Sequence, residues 1–108
     1  MSPLSARTRA QLKSLAHALA PVVQIGVEGL TPEVERATSI ALERHELVKV
    51  KLQQGFTGDR DEAGQALAEK IDAALVQVIG RVVVLYRRRC KDDPKRPRIE
   101  LVGAGTIR

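Results

Sequence analysis

Within 108 residues the spacing of apolar side chains switches repeatedly between the helical period of about 3.6 residues and the strand period of about 2. Such a chain must lay helices against a sheet, because neither kind of element can bury its apolar face alone. From Ser5 to about Leu19 the residues Leu12, Leu15, Ala16 and Leu19 recur at three- and four-residue spacing, with Arg9, Lys13 and His17 elsewhere around the helix. Pro21 stops this helix, and Val22-Val23-Gln24-Ile25 follows as a short β-branched strand ending at Gly26. Thr31 before Pro32 offers a capping hydroxyl and a proline at the first helical position, so a second helix runs from there to about His45.

In Leu47-Val48-Lys49-Val50-Lys51-Leu52 the side chains alternate strictly, which puts Val48, Val50 and Leu52 on one face and both lysines on the other. Asp59-Arg60-Asp61-Glu62 has the spacing of a capping box. Behind it Ala63, Leu67, Ile71, Ala74 and Leu75 describe a third helix, with Lys70 the exception on that stripe. Val76 to Ile79, the turn Gly80-Arg81 and Val82 to Tyr86 read as a β-hairpin with glycine first in a turn of the II′ kind. The predicted order is αβαβαββ, an α/β sandwich with a four-stranded mixed sheet.

Several functional classes lose support at this point. A 44% hydrophobic, 29% charged composition is that of a folding globular chain. No apolar run reaches the roughly 18 residues of a membrane span, and the start lacks the layout of a secretory leader, so a cytoplasmic protein is expected. One cysteine, Cys90, and two histidines give no convincing metal set. Cys90 lies among Arg88, Arg89 and Lys91, which favour thiolate, but an incidental cysteine suffices there. His17 and His45 belong to no catalytic motif and read as helix-end residues. Phosphate-loop and dinucleotide signatures are absent, so neither an enzyme nor a cofactor nor a small-molecule substrate is expected.

The net charge of +5 is unevenly spread. Residues 1–27 hold Arg7, Arg9 and Lys13 and no acid, residues 28–80 hold ten acids against six bases, and residues 81–108 hold nine bases against three acids. Clustered bases suit a polyanion, because Lys and Arg release counterions from a phosphate backbone. Gly26-Val27-Glu28-Gly29 feeds directly into the second helix, whose unpaired N–H groups and dipole attract anions. A G-x-x-G loop is how the KH module clamps a nucleic-acid backbone, although Glu28 would have to point away from phosphate. With Phe56 and Tyr86 as the only aromatics, base-stacking platforms are not expected.

Four blocks carry a family resemblance. They are Leu12-Lys13-Ser14-Leu15-Ala16-His17, Pro21 to Thr31, His45 to Lys51, and Val78 to Arg87. In this order they resemble the bacterial YhbY family of stand-alone CRM domains, named for chloroplast RNA splicing and ribosome maturation. The resemblance covers about residues 4–87 and implies a non-enzymatic RNA-binding domain. Its implied fold is similar to the C-terminal domain of bacterial translation initiation factor three. It further implies ribosomal RNA of large-subunit precursors as the partner, and a contact surface at Gly26, Val27, Glu28 and Gly29 with Arg9, Lys13, Lys49, Lys51, Arg81 and Arg87. Residues 1–87 are then the domain and 88–108 a basic, partly flexible tail, with Ile99 to Val102 able to dock as an extra edge strand. A module that binds an acidic or ribosomal protein is the alternative, and a general DNA binder is disfavoured because no helix-turn-helix or finger pattern occurs.

Overall fold

A computed structural model describes residues 4–89 and Ile99. Seven elements follow in the expected order: α1 (Ala6–Ala16), β1 (Val23–Ile25), α2 (Pro32–His45), β2 (Leu47–Leu52), α3 (Arg60–Lys70), β3 (Ala74–Ile79) and β4 (Val82–Tyr86). Each helix starts at a side-chain oxygen that accepts an otherwise orphaned backbone N–H: Ser5 from Thr8, Thr31 from Val34 and Asp59 from Glu62. Such caps are local, so their positions follow from the sequence.

The helix ends depend on distant residues, and two of them differ from expectation. Helix α1 stops at Ala16, and the chain turns so that the Leu19 N–H donates to the Ala16 carbonyl, leaving Leu15 and Leu19 exposed. Helix α3 stops at Lys70, and Asp72 adopts a left-handed φ of 56°. Ala74 and Leu75, read from spacing as helical, instead open β3, where they pair with Tyr86 and Leu85. Strand pairing overrides helical spacing there. The hairpin turn is as predicted, with φ of 58° at Gly80 and no positive φ at Arg81.

The sheet order is β1-β2-β4-β3, with β1 parallel to β2 and the other pairs antiparallel. Helix α2 makes the crossover between the parallel strands. Helices α2 and α3 cover one face, over Val23, Ile25, Val48, Val50, Leu52, Val83 and Leu85, while α1 covers part of the other, over Leu47, Val76, Val84 and Tyr86. Each helix is held by a leucine with no exposed surface, Leu12, Leu42 and Leu67 respectively. Burial of one such side chain contributes about 1.5–3 kcal/mol. Helix α3 lies close to the sheet because Gly64 faces it: a Cβ there would meet Leu75, Val78 and Val83 atoms at 3.3 Å.

Strand β3 carries a bulge. Leu75 pairs with Leu85 and Gln77 with Val84, so Val76 is an extra residue. It packs in the cluster under α1, whereas Leu75 packs against the opposite cluster. The Arg9 Nη1 donates to the Leu75 and Val76 carbonyls, both at 2.7 Å, and thereby fastens α1 to the bulge.

Beyond β4, Arg87 and Arg89 pack against the domain while Arg88 between them is exposed. Glu46, between α2 and β2, has a left-handed φ of 63° and no exposed surface. Its Oε2 accepts the Arg89 N–H at 2.6 Å and its Oε1 accepts the Ile99 N–H at 2.7 Å. The Arg89 guanidinium donates to the Glu43 and Arg44 carbonyls at the end of α2, completing acceptors that the helix leaves open. Arg89 is therefore part of the packed domain. Ile99 is not in a strand; residues 100–102 and Cys90 lie outside the described residues.

Candidate nucleic-acid interface

The loop between β1 and α2 is a tight turn closed by the Gly29 N–H donating to the Gly26 carbonyl at 3.0 Å. Gly29 has a φ of 73°, where a side chain would be strained. Gly26 is different: no positive φ requires glycine, and nothing lies within 4 Å of where a Cβ would stand. Its bare backbone leaves open space above the turn. Val27 is 76% exposed at the tip, Glu28 is exposed beside it, and Thr31 caps the helix that follows. Residues 53–58 support the loop from behind, with Gly55 against Val27 and the Phe56 ring 4.0 Å from a Cβ built on Gly29.

Helix α1 and all four strands contain no acidic residue, whereas the helical layer of α2 and α3 contains Glu33, Glu35, Glu43, Asp61, Glu62 and Glu69. The α1 side therefore carries bases and no acids, whereas the α2 and α3 layer, with Arg36, Arg44, Arg60 and Lys70 beside its six acids, is net −2. On the α1 side, Lys13 and His17 of the helix stand across a cleft from Lys49 of β2 and Gln77 and Ile79 of β3. The Lys49 Nζ donates to the Leu19 carbonyl at 2.9 Å, which fixes the ammonium at the cleft edge. Lys51 lies one strand repeat nearer the glycine loop, paired with Gln24 and Val82, and is exposed. Since β1 and β2 are parallel, both end beside the loop, and Lys49 and Lys51 lead toward it.

The remaining candidate bases are placed differently. The Arg81 side chain donates to the Leu52 and Gln53 carbonyls, clamping the end of β2 next to the glycine loop. Arg9 is committed to the β3 bulge. Arg87, at the opposite end of the sheet from the loop, donates to Ile71 and Ser39 carbonyls and lies 3.5 Å from a Glu43 carboxylate oxygen. The fold thus brings together Gly26 to Gly29, Lys13, Lys49, Lys51 and the Arg81 clamp, and holds Arg9 and Arg87 elsewhere. Ser14, His17 and Gln77, which spacing alone did not single out as contacts, join the first group. Among the described residues no cluster of His, Cys, Asp or Glu could hold a metal ion, and no helix is long and apolar enough to cross a membrane.

Comparison with known sequences fits this layout. The profile of the CRS1 / YhbY (CRM) domain matches residues 4–87, the span from the start of the described chain through the last strand. The chain belongs to the CRS1/YhbY family of CRM domains. This CRM domain is 41% identical over 87 residues to a protein named as an RNA-binding protein from Haemophilus influenzae, covering 81% of this chain and 88% of the relative. It is 34% identical over 98 residues to the Bacillus subtilis protein named Probable RNA-binding protein YqeI, covering 91% and 98%. The solution structure of the hypothetical protein SAV1595 from Staphylococcus aureus superposes on this CRM domain with a TM-score of 0.73 at 36% identity, covering 91% of this chain and 98% of that one. The shared fold is thus α/β with three helices and a four-stranded mixed sheet.

Proposed function

We propose that this CRM domain is a non-enzymatic RNA-binding module whose target is ribosomal RNA in precursors of the large subunit during ribosome assembly, which would place it in the cytoplasm. The observation that carries the reading is the charge segregation of the fold. An acid-free face bearing Lys13, Lys49 and Lys51 leads to a glycine turn that opens into the N-terminus of α2. In this reading one RNA phosphate sits over Gly26 to Gly29, where backbone N–H groups and the helix dipole favour it. The lysines bind neighbouring phosphates and set orientation, and Glu28 points to solvent. Arg81 acts by holding the end of β2 beside the loop. The names of the relatives support RNA as the partner. The ribosomal target rests on the family resemblance.

Sedimentation of a cell extract through sucrose gradients at two salt concentrations, with and without ribonuclease, tests this. Co-migration with large-subunit precursors that ribonuclease and high salt abolish is the expected result. A protein that stays at the top of the gradient at low salt would contradict the ribosomal target. The exposed Leu15, Leu19 and Val22, beside a cleft of about 450 Å³ that Ile99 also lines, favour a second reading as a protein-interaction module. Co-migration that survives ribonuclease would select it.

A further inference from the structure

The cleft between α1 and the sheet has a composition that phosphate contact does not explain. Its volume is about 400 Å³, within the range of small-molecule sites. The floor is apolar: Ala16 and Val84 are buried, and Ile79 presents its side chain with 57% of the residue exposed. Polar groups stand around that floor, Ser14 and His17 from α1 and Gln77 from β3. Lys13 and Lys49 complete the rim. Among the described residues the Ser14, His17 and Gln77 side chains have no hydrogen-bond partner. A phosphate gains nothing from an apolar floor, whereas a nucleobase has an apolar face and a polar edge in the same molecule.

We infer that this cleft receives one unpaired base of the bound RNA, with Ile79 and the His17 ring against the base face and the Gln77 amide on its polar edge. The inference rests on the RNA-binding reading and adds to it a mode of recognition. An amide offers a donor and an acceptor side by side, the arrangement that reads a base edge. A base held in a duplex cannot enter a concave site, so the preferred RNA has an unpaired nucleotide. Lys13 and Lys49 then meet the phosphates on either side of it. The β3 bulge makes the site possible: Val76 goes under α1 while Gln77, the next residue, still faces the cleft opposite Val84.

Fluorescence anisotropy at one fixed salt concentration, with a single-stranded oligoribonucleotide containing all four bases and the duplex of the same length, tests the proposal. The single strand is expected to bind about tenfold more tightly than the duplex. Gln77→Ala and His17→Ala should each weaken single-strand binding by about three- to tenfold, the effect of one neutral contact, and leave duplex affinity and the salt dependence of binding unchanged. Both positions are at least partly exposed, and circular dichroism melting confirms that the variants are folded. Equal affinity for the two RNAs, or single-strand affinity unchanged in both folded variants, overturns the base site while leaving RNA binding intact. A wild-type domain that binds neither RNA overturns the RNA-binding reading as well.

Discussion

A buried carboxylate is costly unless hydrogen bonds satisfy it, and Glu46 meets that condition with two amides from the end of the chain. Glu46→Ala should lower stability by about 2–4 kcal/mol, because it removes the acceptor for two N–H groups while keeping the strained left-handed backbone. Glu46→Gly loses the same acceptor but relieves about 1 kcal/mol of strain, so its loss should be smaller. The midpoints of urea denaturation order the three proteins. Nothing in His45-Glu46-Leu47 announces this role, since the partners arrive 43 and 53 residues later. The capping oxygens of Ser5, Thr31 and Asp59 act within three residues, and Thr31 and Asp59 are legible in the sequence for that reason.

At the scale of elements, the alternation in β2 and the glycine of the hairpin turn predict their strands correctly because both signals are short-range. The start of β3 is not legible. Ala74 and Leu75 continue the helical spacing of α3, and only pairing with β4 makes them a strand. The bulge that follows gives Arg9 its structural task, a role that its place among the basic residues of α1 conceals. Arg9→Ala should therefore destabilise the domain by about 1–3 kcal/mol through loss of its two carbonyl contacts. RNA affinity of the folded variant should change by less than about twofold. Denaturation and anisotropy titration on the same preparation separate these effects, and a large loss of affinity at unchanged stability would return Arg9 to the interface. Half of the candidate surface was legible in this sense: the glycine loop and the β2 lysines follow from local pattern, while the cleft exists only once α1 crosses the sheet.

For the whole molecule the decisive property is that, among the described residues, acids are confined to α2, α3 and the loops. The protein should approach a polyanion with the α1 face leading. Lys49→Glu combined with Lys51→Glu should weaken RNA binding and reduce the slope of log affinity against log salt concentration by about one to two, leaving the fold intact. Asp61→Asn with Glu69→Gln, on the exposed surface of α3, should alter affinity by less than about twofold. Titrations over a series of salt concentrations check both; if net charge and not its placement governed binding, the α3 pair, a change of +2, would strengthen binding by about half of what the lysine pair, a change of −4, loses.

The two oxygens of Glu46 hold amides ten positions apart in the chain, those of Arg89 and Ile99. In polymer terms one carboxylate acts as a non-covalent staple that closes a loop between two points of the chain. The entropy of closing such a ring rises only as the logarithm of its length. By loop-closure entropy alone, doubling the length of chain between the two stapled amides would cost only about 0.6 kcal/mol.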